Sequence, residues 1–253
     1  MNKKKSDFLK TAIKAAKAAA KISSKAFNKD LKISYKDQYE IVTNIDKECE
    51  ERIVKIILSK FPEHNIWGEE RDETHKTSLY RWVIDPIDGT VMFSRGIETY
   101  GISISLEYKK ETIVCVNYFP ELKKMYYAEK NKGSYVNGKQ IFVSNKKNKV
   151  PLILPSSSIV RKPNLAKKFT SNFKKHLITT RDFGSTEFHL SLVAEGKADC
   201  CYAYGLKPGD VSAGILLIRE AGGKVINDKG KRANSQDKHI IGFSKILKTE
   251  DLI

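Results

Sequence analysis

The sequence predicts an α/β protein of the layered α+β kind, with helix and sheet layers alternating, and three observations carry that expectation. Two helical stretches open the chain, a run of alternating strands with a tight hairpin signal fills the middle, and strands and helices then take turns to the end. Gly and Pro are scattered through the 253 residues instead of gathering in a linker. One domain over 1–253 is therefore expected, with an antiparallel N-terminal half (1–148) and an α/β C-terminal half (149–253).

Taken in order, Phe8, Ala12, Ala15 or Ala16 and Ala19 recur at helical spacing behind Ser6, which reads as an amphipathic surface helix with a good N-cap. The segment starts like a secretion signal, but Lys14, Lys17 and Lys21 interrupt any apolar run; an organellar presequence is the alternative reading. A polar stretch with Ser34, Lys36 and Asp37 leads to a second helix capped by Thr43, with Ile45, Cys49, Ile53 and Ile56 or Ile57 on one face. Pro62 ends that region, and a strand at 65–68 delivers Glu69 and Glu70 to a loop. Residues 81–84 read as a buried strand that Pro86 should stop. Segments 99–108, 112–119 and 124–129 alternate as antiparallel strands, and Asn137-Gly138 marks a hairpin. The second half reads strand 152–154, helix 166–173, strand 177–180, helix 185–194 and strand 199–204. A last helix runs through Glu220 and is stopped by Gly222-Gly223.

Composition narrows the function classes. No stretch approaches the ~20 apolar residues of a membrane span. Lys and Arg exceed Asp and Glu by 46 to 30, a formal charge of +16, but the lysines are spread over the chain, as on a solvated surface. That sign suits anionic, phosphate-bearing substrates and leaves nucleic acid as an alternative partner. Cys49, Cys115, Cys200 and Cys201 form no C-x-x-C pair and have no His at ligand spacing, which points to a reduced, cytoplasmic setting with buried thiols. His64, His75, His176, His189 and His239 are isolated, and no serine-hydrolase or nucleotide-loop motif is present.

Chemistry concentrates in carboxylates at element ends: Asp46, Glu69, Asp85, Asp88 and Asp210. Asp85 and Asp88 lie three apart across a proline turn, where both side chains and the Ile87 carbonyl can converge. Oxygen ligands without His or Cys suit Mg2+ or Mn2+ and a bridging phosphate. Gly89 lets backbone approach a ligand closely, and N–H groups from Gly89 and Thr90 onward form an anion site if they open a helical turn. Alone, this hexapeptide is also a good surface turn; the preceding apolar run Trp82-Val83-Ile84 and the separate acids argue for a site.

Four ordered motifs resemble the inositol monophosphatase superfamily. Glu40 to Asp46 looks like its D-x-V-T-x-x-D, Trp67-Gly68-Glu69-Glu70 like its G-E-E, Trp82 to Thr90 like its W-x-I-D-P-I-D-G-T, and Gly209 to Gly214 like its W-D-x-A-A-G. The resemblance spans nearly the whole chain and implies the inositol monophosphatase or sugar phosphatase fold, a homodimer, and a Mg2+-dependent phosphomonoesterase that acts by metal-activated water attack. Glu69, Asp85 and the Ile87 carbonyl would then hold one Mg2+, while Asp85, Asp88 and Asp210 would hold a second. A third ion would share Glu69. Thr90, hydrogen-bonded to Asp46, would orient and help deprotonate the attacking water, with the Gly89 and Thr90 amides on the phosphate.

Specificity residues depart from that pattern. The Glu that contacts ring hydroxyls in inositol-cleaving members, seven residues before Asp210, is Ala203 here, and the motif Trp is Gly209. The family's G-S-A-A reads Gly184-Ser185-Thr186-Glu187, which places Thr186 and an acid, Glu187, at the expected substrate mouth. Inositol phosphate or a related polyol or sugar phosphate is the first reading. Glu187 would favour histidinol phosphate, whereas Arg161, Arg181 or Lys207 would receive the second phosphate of fructose 1,6-bisphosphate or 3′-phosphoadenosine 5′-phosphate. A binding protein for RNA or the transcription machinery on the same fold is the non-enzyme alternative.

Overall fold

The computed structural model describes residues 5–146, 149–172 and 177–247. In chain order these form α1 (Asp7–Ala26), β1 (Ile33–Tyr35), β2 (Ile41–Thr43), α2 (Asn44–Lys60), β3 (Asn65–Gly68), β4 (Tyr80–Asp88), α3 (Thr90–Ser94), β5 (Gly101–Tyr108), β6 (Glu111–Phe119), β7 (Lys124–Glu129), β8 (Ser134–Val136) and β9 (Lys139–Ile141). There follow β10 (Leu152–Pro155), α4 (Ser157–Arg161), α5 (Pro163–Asn172), β11 (Thr179–Thr180), α6 (Thr186–Ala194), β12 (Cys200–Tyr204), α7 (Ser212–Glu220), β13 (Lys224–Asn227) and β14 (His239–Phe243).

Strands β3 to β9 lie side by side in sequence order as a seven-stranded sheet, antiparallel except for the β3–β4 pair. The other large sheet has the order β11-β10-β12-β14-β13, with β10 parallel to both neighbours. The strand period of two explains how one sheet serves two cores. Ile102, Ile104 and Leu106 of β5 face α1 and α2, while Ser105 on the opposite face bonds Ser212 of α7. Helices α6 and α7 fill the space between the sheets, and α4 and α5 cover the outer face of the smaller one. The result is five alternating layers, helix–sheet–helix–sheet–helix.

Local chemistry accounts for the helix ends. The Leu9 amide donates to Ser6 Oγ at 3.1 Å, as the N-cap reading predicts. Thr43 and Asp46 form a reciprocal capping box at α2. Helix α1 is more than the surface helix expected: Leu9, Ala12, Ala15, Ala16 and Ala19 are buried, and their small side chains let it pack closely on α2. The hairpin at Asn137-Gly138 forms with both residues at positive φ, +48° and +87°, as a type I′ turn requires. Strand β4 does not stop at Pro86. It continues to Asp88 through a register shift between Asp85 and Asp88, so the proline needs no ladder donor and the chain bulges at the acids. The β1–β2 hairpin, exposed along β1 and buried at the end of β2, lies in the stretch read as merely polar, since two three-residue strands have too little alternation to register. The expected helix over 166–173 begins earlier, at Pro163, and its last residue, Phe173, is outside the described residues, as are His176 and residues 147–148 between the two halves. Among the described residues no helix is long and apolar enough to cross a membrane.

One buried group makes folding sensitive to acid. His189 of α6 is fully buried; its Nε2 accepts the Phe183 N–H at 2.8 Å, and its Nδ1 has no partner among the described residues. Burial lowers its pKa from 6.5 to about 4, against the opposing pull of Asp182. Between those values the unfolded chain binds a proton at this position that the folded one does not, so the contribution of His189 to stability falls as pH drops from 6.5 towards 4. The full loss is about 3 kcal/mol. The raised carboxylates of Asp46, Asp88 and Asp210 contribute the opposite slope, so the test is the difference between two proteins. In urea unfolding at a series of pH values His189→Gln should gain stability relative to the wild type as pH falls below 6.5; a difference that does not change with pH would exclude the His189 contribution.

Candidate active site

The bulged end of β4, the N-terminus of α2, the loop after β3 and the turn before α7 meet around a cavity of about 170 Å3. Glu69, Asp85, Ile87, Asp88, Gly89, Thr90, Thr186 and Asp210 line it. Asp46 stands behind it, 1% exposed.

Each acid is fixed by a donor from its own chain. Asp85 Oδ1 accepts the Ile87 N–H at 3.0 Å, and Asp210 Oδ2 accepts the Lys207 N–H at 2.6 Å. Asp88 Oδ2 accepts from Ser185 Oγ at 2.5 Å and from the Glu187 N–H at 2.8 Å, which ties the two halves of the chain together at the site. Asp46 Oδ2 is held by the Thr43 N–H at 2.9 Å and by the Thr43 hydroxyl, and its Oδ1 lies 3.0 Å from Thr90 Oγ1. Thr90 Oγ1 is also 3.0 Å from the Ile87 carbonyl, so its single proton has two acceptors. Gly89 caps α3 with φ +87°, and a side chain there would press on Ser185 and two carbonyls, so only glycine suits the turn.

The electrostatics are those of crowded like charges. Burial, reinforced by Glu69, Asp88, Asp210 and Asp46, raises the pKa of Asp85 well above the ordinary carboxylate range. Burial with Glu69 pushes Asp210 up to about 8. Burial lifts Asp88 to about 6 against the Ser185 hydrogen bond, and Asp46 to about 6 against its bonds from Thr43 and Thr90. Among the described residues no group of three His, Cys, Asp or Glu side chains is placed to hold a metal ion. Lys36 instead reaches in from the β1–β2 turn, with Nζ 2.8 Å from Glu69 Oε1 and 2.5 Å from Glu70 Oε1. Burial alone would lower the pKa of Lys36, but the two glutamates hold it above its ordinary value. A cation thus already sits on Glu69, and the oxygen-only donor set with its unrelieved repulsion suits Mg2+ or Mn2+.

Two expected contacts are placed elsewhere. Glu187 does not reach the mouth: its side chain is 1% exposed, with Oε2 accepting from Asn117 Nδ2 at 2.6 Å and Oε1 from the Ala213 N–H at 3.2 Å. As the second residue of α6 it turns back towards α7, and only its backbone N–H serves the site, at Asp88. Arg181 lies outside the cavity lining, whereas Arg161 and Lys207 are on it. Lys207 pairs with Glu40 at 2.7 Å, and Arg161 donates to the Tyr39 carbonyl at 3.4 Å over the Tyr39 ring. Sequence reasoning missed Tyr204 and the Ser156–Ser158 turn, which also line the cavity. Tyr204 is a core residue of β12, 5% exposed, that also borders the cavity; the Ser156 and Ser158 hydroxyls bond backbone of β12 and carried no motif. Ala203 is fully buried in the central core.

Gly209 and Trp67 are complementary. A Cβ at 209 would lie 2.9 Å from the Trp67 ring and 3.2 Å from Asp85 Cβ, so this indole fills the space beside a residue that is Trp in the family motif. Gly209→Ala is expected to cost about 1–3 kcal/mol by overpacking. In a Trp67→Leu background the cost should shrink, and a double-mutant cycle measured by denaturation checks it. Additive effects would contradict the contact.

Fold and site together define a layered α/β protein with an acidic pocket where its elements converge. The chain belongs to the inositol monophosphatase family: the family model matches residues 4–252. The Nus factor SuhB of Pasteurella multocida is 32% identical over 250 residues, covering 96% of this chain and 94% of that protein. A fructose-1,6-bisphosphatase/inositol-1-monophosphatase of Aquifex aeolicus is 34% identical over 225 residues, covering 85% and 84%. Among solved structures, an IMPase of Thermotoga maritima superposes with a TM-score of 0.88 at 29% identity, covering 98% of this chain and 96% of that one.

Proposed function

We propose that the protein is a Mg2+-dependent phosphomonoesterase hydrolysing inositol phosphate or a related small polyol or sugar phosphate. The observation that carries this reading is the crowding of Asp85, Asp88 and Asp210 with Glu69 on one cavity, which costs stability unless bound cations offset it. Glu69, Asp85 and the Ile87 carbonyl would hold one ion and Asp85, Asp88 and Asp210 another, with a third sharing Glu69. When bound, such ions polarise the phosphoryl oxygens and acidify water, an effect worth several kcal/mol.

The remaining steps belong to the chain itself. Amides of Gly89 and Thr90 hold the phosphate, with Thr186 and Asp210 bordering it. Thr90 Oγ1 takes a proton from the attacking water while passing its own to Asp46, 3.0 Å away. With a pKa of about 6, Asp46 is ionised at neutral pH and can receive it. Below that value the relay is blocked, so activity should fall with acid.

Substrate identity rests on the mouth. Glu187, turned inward onto Asn117, offers no charge to a cationic substrate such as histidinol phosphate. Arg161 and Lys207 instead support a second anionic group, in keeping with the fructose-1,6-bisphosphatase in the name of the Aquifex relative. A second reading, a binding partner of RNA or the transcription machinery, draws on the Nus factor among the relatives and on the +16 charge. The intact set of acids with Thr90 favours catalysis. We also assign it a homodimeric, cytoplasmic state, the latter from four free, buried cysteines.

A substrate panel tests the reading: inositol 1-phosphate, histidinol phosphate, fructose 1,6-bisphosphate, 3′-phosphoadenosine 5′-phosphate and glycerol 2-phosphate with Mg2+, and Asp88→Asn as control. Release lost in the variant is expected. A folded protein that releases phosphate from none of them, yet shifts RNA in a salt-dependent manner, would favour the binding role.

A further inference from the structure

A second cavity, of about 230 Å3, lies on another part of the surface between the start of β6, helix α7 and the loop after β13. Three cations line it, Lys110, Arg219 and Arg232, against one carboxylate, Glu111. That carboxylate is shared: Oε2 is 2.6 Å from Lys130 Nζ and Oε1 is 3.3 Å from Arg232 Nη2. Arg219 is the unusual member. It is partly buried, it makes no ion pair among the described residues, and its Nη2 donates only to the Ala233 carbonyl. Burial, and then the like charge of Arg232, lower its pKa to about 10 against the opposing pull of Glu111 and Asp237.

A guanidinium taken from water and set against a second one is costly unless an anion completes it. Asp237, the other carboxylate that acts on Arg219, is engaged by the Asn227 side chain at 3.0 Å and the Asn234 N–H at 2.8 Å, and the inner wall adds no further anion. Thr112 and Ser235 are buried hydroxyls engaged with Ser212 and Glu107, and Glu107 behind them is already paired with Arg81 at 2.7 Å. The cavity holds the volume of about eight waters at about 30 Å3 each, enough for a tetrahedral oxyanion with a short carbon stub. Guanidinium forks match the edges of such an ion better than ammonium groups do.

We propose that this cavity is an oxyanion site, taking inorganic phosphate or the phosphoryl head of a small phosphomonoester between Arg219 and Arg232. It is distinct from the acidic cavity, which needs a bridging cation to accept phosphate. Isothermal titration in EDTA separates the two, using inorganic phosphate and glycerol 2-phosphate as probes on the wild type, Asp88→Asn, Arg219→Gln and Arg232→Gln. Saturable binding is expected in the wild type and in Asp88→Asn alike, weakened at least 10-fold by either arginine substitution. The tighter of the two probes identifies free ion or ester as the source. Should Arg219→Gln fail to fold, Arg232→Gln still decides, because that side chain is 70% exposed. Heat no greater than in a chloride titration of matched ionic strength, binding that survives Arg232→Gln, or binding lost in Asp88→Asn would overturn the proposal.

Discussion

Asp85→Asn is expected to lower Mg2+-dependent phosphate release by at least about 1,000-fold, equivalent to roughly 4 kcal/mol of transition-state stabilisation. The same change should raise the melting temperature measured in EDTA. Both effects follow from one cause. Asp85 is buried among Glu69, Asp88, Asp210 and Asp46, so its charge opposes folding when nothing positive sits between them. Asparagine keeps an oxygen for the Ile87 N–H and discards the charge. Catalysis and stability are thus set against each other at this position, as at sites where repulsion is kept for use. Lower activity with an unchanged or lower melting temperature in EDTA would separate Asp85 from the proposed repulsion.

The second large effect lies away from the cavity. Arg81→Leu is expected to cost about 3–5 kcal/mol in chemical denaturation, because it leaves the carboxylate of Glu107 buried without a counter-charge. Glu107 is 1% exposed and accepts from Arg81 Nη2 at 2.7 Å and Nε at 3.1 Å, with Ser235 and Ser212 on its other oxygen. Adding Glu107→Gln should restore much of the loss by removing the stranded charge. No recovery in the double variant would mean that the cost is packing alone. Ser212 is two residues from Asp210, so the single variant should also lose activity beyond its loss of folded protein.

Much of this architecture was legible from residue order, and the exceptions have physical reasons. Strands such as β6 and β7 alternate long enough to register, and Thr43 and Ser6 announce their helices by capping chemistry. Pro86 misled because a bulge can accommodate a residue without an N–H, and that bulge presents the acids. The acids themselves were readable because Asp85, Ile87 and Asp88 are local, and Glu69 and Asp210 stand at element ends. Lys36 and Tyr204 were not, since what places them is tertiary: a hairpin folding over Glu69 in one case and the orientation of a strand end in the other. Glu187 shows the converse. A motif position located it near the mouth, but the side chain of a residue in the first turn of α6 is turned by the helix towards Asn117 and α7.

The most direct test of the central claim is a Mg2+ titration of the wild-type protein, following phosphate release and melting temperature together. The account predicts no release in EDTA, release that rises with Mg2+, and a melting temperature that climbs over the same concentration range, since the ions that drive catalysis also relieve the buried charges. Release that is undiminished in EDTA, or a melting temperature indifferent to Mg2+ at concentrations that saturate activity, would contradict it.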